Sequence, residues 1–197
     1  MDVISDTIAD APVTTGLAAT MEDTLQAFAV RAACFVGEFD VPYSREFDGQ
    51  DFGAAHILVR VGNEPAGTLR LRWFRTFAMP ERLCVVRRFR GQALGRRLLE
   101  HSYHLAETRG CTALYTRALP GAATYLEKQG WQRLQPPAAR PVDGAVIALA
   151  RPVNPAVPWT GLDAVDAKTL FDEFRLEVSA AMLRESFPAA FSSSSAR

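Results

Sequence analysis

Apolar positions along the chain change their period several times, and each change marks an element. After Thr20, the residues Leu25, Phe28, Ala29, Ala32, Phe35 and Val36 recur at the spacing of one helix face, which predicts a helix over 21–37. Thr20 is placed to cap it, with Asp23 three residues on. The preceding "APVTTGLAAT" has room for a first strand, and the following "DVPYSREFDGQDFG" is polar, with proline and glycine, as a loop would be. The strand-like runs "AAHILVRVG" and "AGTLRLRWF" come next, separated by "NEP", a hairpin signal. "FAMPERLCVV" is a third strand of this group. Pro80 inside it has no N–H to give to a ladder, which predicts an edge or a bulge there.

The helical period returns over 95–110, with Leu98, Leu99, Ser102, Leu105 and Ala106 on one face and Gly110 as the stop. "CTALYTRAL" is a strand, "GAATYLEKQG" a short helix closed by Gly130, and "WQRLQ" and "GAVIALARP" are the last strands. Beyond them the chain changes character. "PVNPAVPWTG" carries three prolines and suits a linker or strap. Leu170, Phe171, Phe174, Val178 and Met182 form one stripe of a helix expected over 162–186, and "FSSSSAR" is a low-complexity tail expected to be disordered. The expected division is therefore an α/β domain over 1–152, a strap over 153–161, an amphipathic helix over 162–186 and a disordered tail over 187–197.

Composition narrows the chemistry. With 197 residues the chain can bury a sizeable core. Basic and acidic residues balance at 22 each, so no global field draws it to nucleic acid or to a membrane surface. Cys34, Cys84 and Cys111 are widely spaced, and neither they nor the three histidines fall in a metal-ligand spacing, so no metal is expected. Asp2, Asp6 and Asp10 stand where a signal peptide needs positive charge, and no apolar run approaches the ~18 residues of a membrane span. A reduced, cytoplasmic protein is the expectation.

One stretch resists a purely structural reading: "VVRRFRGQALGRRLLEHS", where two glycines sit inside an arginine cluster just ahead of a helix. The surroundings lack the aromatic platform and second basic segment of a nucleic-acid site. Glycine before a helix start instead suits a backbone cradle for phosphate, because converging N–H groups and the helix dipole both favour an anion. The spacing is neither a Rossmann nor a Walker fingerprint.

It does resemble motif A of the GNAT superfamily of acyl-CoA-dependent N-acyltransferases, R/Q-x-x-G-x-G/A, on Arg90, Gly91, Gln92, Ala93, Leu94 and Gly95, with Ala93 where the family usually has glycine. "ERLCVV" is similar to the family's fourth strand, and "AATYLEKQGW" to its A-x-x-F-Y-E-K-x-G-F signature. The resemblance spans roughly residues 12–152. It implies a mixed, mostly antiparallel sheet flanked by helices, here with a C-terminal helical extension, and acyl transfer, most simply of acetyl, from coenzyme A to a primary amine by direct attack. It implies that Arg90–Gly95 with Arg96 hold the cofactor phosphates, and that Cys84 and Val86 lie along the pantetheine arm. Val85 is implied as the oxyanion N–H donor and Glu81 as the base, directly or through water. Glu81 also fits a charged residue at a strand bulge paired with an arginine. Leu126 occupies the family tyrosine's place and Tyr125 precedes it, so a general acid from that helix is not implied.

Glu46, Asp48 and Asp51, followed by His56, with Arg31 and Phe35 upstream and Arg70 downstream, resemble the acyl-homoserine-lactone synthases, a GNAT-like group whose acids order the acceptor side of the pocket. Those four residues are the expected acceptor contacts. A solvated loop with Asx turns and a structural histidine is the other reading of the same residues. Two further functions stay open: transfer of a longer acyl chain, as in acyl-homoserine-lactone synthesis, and a non-catalytic acyl-CoA-binding module. A small-molecule amine is the expected partner, with a homodimer through the C-terminal helix as a second possibility.

Overall fold

The computed structural model describes residues 11–134, 146–154 and 156. The chain divides into two units, Met1–Thr160 and Gly161–Arg197, and the described residues lie in the first. The helix expected over 162–186 and the serine-rich tail fall outside the described residues.

Among the described residues, seven strands form one sheet in the order β1-β2-β3-β4-β5-β7-β6. They are β1 (Val13–Leu17), β2 (Ala55–Val61), β3 (Glu64–Trp73), β4 (Phe77–Val85), β5 (Ala113–Ala118), β6 (Gln132–Arg133) and β7 (Ile147–Pro152). Every pairing is antiparallel except β4 with β5. The helices are α1 (Met21–Arg31), α2 (Tyr43–Glu46), α3 (Leu94–Thr108) and α4 (Pro120–Glu127). This is the mixed, mostly antiparallel architecture that the sequence implied.

Helix α1 starts where its cap predicts. The Asp23 N–H donates to Thr20 Oγ1 and the Thr20 N–H to Asp23 Oδ2, a reciprocal capping box. The expected helix over 21–37 is not uniformly α, however. It widens into a π-helical segment, Ala32–Val36, directly after Arg31. The loop ahead of β2 also holds the one-turn helix α2.

The apolar faces meet on one side of the sheet. Leu94, Leu98, Leu99 and Ala106 of α3, with Ala123 and Leu126 of α4, pack on Ile57, Val59, Leu69, Leu71 and Leu114 of the strands. Burying that many large apolar side chains, at roughly 1.5–3 kcal/mol each, holds α3 on the sheet. Gly110, at φ 74°, ends α3, and the Cys111 N–H returns to the Ala106 carbonyl. The other face, under α1 and α2, is built differently: it buries charge.

Candidate active site

The site begins with a gap in the sheet. Strand β4 pairs with β5 only through Phe77 and Ala78, and the two strands then part. Pro80 sits at the parting, and its carbonyl accepts a hydrogen bond from Thr116 Oγ1 at 2.7 Å, so its backbone faces β5. A residue without an N–H there cannot extend the β4–β5 ladder. The expected bulge exists two residues on. Arg82 takes φ 51°, and the β3–β4 register shifts between Thr68 and Arg70. Pro80 is thus in a central strand beside an opened seam, not at a sheet edge.

The bulge decides which amides look into the gap. Past it, the Val86 N–H donates to Ala66 O, so by the alternation of an antiparallel ladder Cys84 turns its backbone groups toward β3 as well. Leu83 and Val85 turn theirs the other way. The Val85 carbonyl accordingly receives Arg90 Nε at 2.9 Å. Of the three strand residues expected along the cofactor, Val85 alone presents its backbone to the gap; Cys84 faces the ladder, and Val86 donates its N–H to Ala66 and accepts the Phe89 N–H at its carbonyl. The Cys84 side chain is buried with Val30 and Cys34. Its thiol and that of Cys34 share a hydrogen bond, which raises the Cys84 pKa together with burial and lowers that of Cys34.

Just beyond β4 comes the glycine turn. Gly91 has φ 84° and Ala93 φ 57°, and Ala93 is the N-cap of α3 with no side-chain capping bond. The α3 N-terminus is therefore uncapped by protein, as an anion site requires. The alanine in place of glycine holds the left-handed conformation at a steric cost of roughly 1–2 kcal/mol. Arg90 does not point freely at this turn. It makes a bidentate pair with Glu38, 2.7 Å on each oxygen. Arg96 pairs with Glu100 at 2.7 Å, and Arg88 with Glu64 at 2.8 Å. The first turn's electrostatics rest on backbone dipoles more than on the arginine cluster.

On the opposite face the four acids of the sequence reading come together, and none is solvated. Arg31, fully buried, donates to Glu46 Oε1 at 2.6 Å, to the Glu46 carbonyl at 2.7 Å and to Asp51. Arg70, 1% exposed, donates to both Asp48 oxygens at 2.6 and 2.8 Å and to Glu81 Oε2 at 2.8 Å. Arg82 Nη2 reaches Asp48 at 3.0 Å, and its Nε lies 3.1 Å from Glu46 Oε2 as an ion pair without hydrogen-bond alignment. Arg72 Nη1 stands 3.7 Å from Glu81 Oε1. Four carboxylates thus face four guanidiniums. Each acid of the loop is already paired with a guanidinium.

Burial and pairing pull the acids apart in pKa. Burial works to raise Asp48, but hydrogen bonds and charge from Arg70 outweigh it and hold the carboxyl at about 2. Burial wins at Glu46 and raises its pKa against Arg82 and Arg31. His56 is buried, lies edge-on to Phe28 at 5.1 Å, and has its pKa lowered by burial. Its Nε2 is 3.4 Å from the Asp51 carbonyl. The sequence placed Arg31 and Arg70 with these acids and allowed Glu81 an arginine partner, but it did not show that Arg82 and Arg72 join the same network or that the network is buried. It also missed the Thr116–Pro80 bond and the Glu38–Arg90 clasp, both made between residues far apart in the chain.

A strand that parts from its neighbour beside a helix turn with no side-chain cap leaves room for an extended ligand with an anionic end. The acetyltransferase (GNAT) family model matches residues 24–131. The chain belongs to the GNAT acetyltransferase family. It is an acyl-CoA-dependent N-acyltransferase. A Bacillus subtilis protein named as a candidate acetyltransferase is 32% identical over 114 residues, covering 56% of this chain and 78% of its own. Among solved structures, one described as a candidate N-acetyltransferase from Lactobacillus plantarum superposes with a TM-score of 0.65 at 25% identity, over 72% of this chain and 99% of that one. An acyl-CoA N-acyltransferase from Pseudomonas aeruginosa shares the fold with a TM-score of 0.59 at 24% identity, over 71% and 98% of the two chains. No helix among the described residues is long and apolar enough to cross a membrane.

Proposed function

We propose that this acyltransferase moves an acetyl group from acetyl-CoA to the primary amine of a small molecule, by direct attack. The observation that carries the reading is the gap between β4 and β5, which ends at the uncapped turn of α3. The pantetheine arm fits along the free edge of β4 and the pyrophosphate on the turn Arg90–Gly95. The acyl carbonyl then lies near the Val85 N–H, which supports the oxyanion as the amine nitrogen attacks. Glu81 accepts the amine proton, directly or through water, while Arg70 fixes the carboxylate through Oε2.

The carbon–sulfur bond then breaks and the thiolate leaves. Leu126, at the family tyrosine's position, is buried in the core and offers no proton. A thiolate with a conjugate-acid pKa near ~8.5 can depart unassisted and take its proton from solvent. Acetyl is favoured over a longer chain because the relatives are named as acetyltransferases. The acceptor is not selected by charge alone, since Glu46, Asp48 and Asp51 are already paired. The apolar stripe Leu170, Phe171, Phe174, Val178 and Met182, expected from the sequence on a C-terminal helix, supports a homodimer contact.

Release of the CoA thiol in the presence of a panel of primary amines, run with acetyl-CoA and with longer acyl-CoAs, tests the reaction. Faster release with acetyl-CoA and one amine class supports it. Faster release with a long acyl chain would move the enzyme toward the longer-chain reading. No release with any amine, from a protein that binds CoA, would make it a binding module. Glu81→Gln is expected to lower turnover by about 10²-fold or more while leaving the CoA Kd unchanged.

A further inference from the structure

Tyr125 has no role in the reaction as described above, yet it stands beside the cofactor turn. It lies on α4, and its side chain reaches across to the first turn of α3. A Cβ built on Gly95 would meet the Tyr125 hydroxyl oxygen at 3.0 Å. Gly95 is the second residue of α3, one position past Leu94, where the helix begins with no side-chain cap on its N–H groups. The phenol thus lies against the turn itself. It is 37% exposed, so a ligand can reach it. Its neighbour Leu126 goes the other way, into the core with Trp131 and Leu98. The roughly 100° between successive helical side chains separates the two.

These placements have a consequence for chemistry. A hydroxyl against an uncapped helix start adds a directed donor to a ring of backbone donors, and a phosphate oxygen is the acceptor that uses both. The same placement keeps the phenol with the phosphates, at the far end of the pantetheine arm from the thioester. Burial raises the Tyr125 pKa, which Arg96 partly offsets, so the group remains a donor at neutral pH.

We propose that Tyr125 is a binding residue for the cofactor pyrophosphate: its hydroxyl donates to a phosphate oxygen seated on the first turn of α3, and it takes no part in proton transfer to the leaving thiolate. The inference rests on the reading that the turn Arg90–Gly95 holds the pyrophosphate. It also accounts for Gly95, because any side chain there would occupy the space between the phenol and the helix.

The test uses the full chain, wild type and Tyr125→Phe, with free CoA as the probe. Affinity is measured by calorimetry, the pyrophosphate and 3′-phosphate signals by phosphorus NMR, and the pH dependence of acetyl-CoA hydrolysis by thiol release. Loss of one charge-assisted hydrogen bond is expected to weaken CoA about tenfold. The pyrophosphate signals of bound CoA should shift between wild type and variant, the 3′-phosphate signal should not, and the pH profile should stay the same. Wild-type protein that binds CoA without moving the pyrophosphate signals would overturn the reading of the turn. Wild-type protein that moves them, with a variant of equal affinity and equal spectrum, would overturn the role of Tyr125 alone. So would weaker binding with unaltered pyrophosphate signals, or a variant that loses the high-pH limb of hydrolysis.

Discussion

At the scale of single residues, Ala93 and Asp48 carry the most direct consequences. Ala93 holds φ 57° where a glycine would hold it without strain. Ala93→Gly relieves roughly 1–2 kcal/mol of left-handed strain and loses roughly 0.4–1 kcal/mol to the freer unfolded chain. A net gain of roughly 0–1.6 kcal/mol in urea unfolding is expected, with CoA binding kept. Lower stability would show that the methyl group is needed for packing. Asp48 has a pKa held at about 2 against an ordinary value of 3.8, so its contribution to stability is present above about pH 4 and is lost as pH falls toward 2. That contribution is on the order of 2 kcal/mol, since each unit corresponds to about 1.4 kcal/mol. Glu46, whose pKa burial raises, acts with the opposite sign and loses its contribution as pH rises. Asp48→Asn should therefore flatten the fall in stability between pH 4 and pH 2. An unchanged acid limb would contradict the pairing with Arg70.

At the scale of elements, the two faces of the sheet differ in how much the sequence discloses. The apolar face was legible: the stripe of α3 at Leu98, Leu99 and Ser102 and its stop at Gly110 lie where period and capping chemistry put them, as does the Thr20 cap of α1 on the other face. Local rules sufficed because the partners are three or four residues apart. The turn Arg90–Gly95 was legible for the same reason. The charged face was not. Arg31 and Glu46 are 15 residues apart and Arg70 and Asp48 are 22 apart, and no local pattern says that they meet and shed their water. The loop that could have been solvated instead packs its acids into a buried ion network. The π-helical widening at Ala32–Val36 follows Arg31 directly, at the edge of that network, a setting where such segments recur near functional sites.

That network gives the α1–α2 layer its cost of disruption. Removing one partner of a buried pair leaves an uncompensated charge and typically costs about 3–5 kcal/mol. Arg70→Met should therefore destabilise by that amount in denaturant unfolding, and should also reduce turnover, because it frees Glu81 from its anchor. A loss below about 1 kcal/mol would show the network to be hydrated and loose.

At the scale of the whole molecule, the catalytic unit extends slightly beyond its expected end at residue 152. Val153 is buried, its N–H donates to the Thr112 carbonyl, and its own carbonyl receives the Tyr103 hydroxyl. A chain ending at Thr160, the boundary of the first unit, should fold and bind CoA. The full chain should sediment as a dimer and the shortened one as a monomer, because the stripe Leu170, Phe171, Phe174, Val178 and Met182 is too apolar to leave in water. A full chain that stays monomeric at high concentration would instead assign that stripe to its own subunit.

The uncapped turn of α3 beside the β4–β5 gap is the proposed seat of coenzyme A. Thermal unfolding with and without CoA tests it most directly. Ligand at about 100 times its Kd should stabilise the wild-type chain by ~2.7 kcal/mol. Gly95→Asp, which places a carboxylate at the turn, should fold, keep its far-UV spectrum and show no stabilisation. A folded wild-type chain whose midpoint does not move with saturating CoA, or a Gly95→Asp variant stabilised as strongly as the wild type, would contradict the claim.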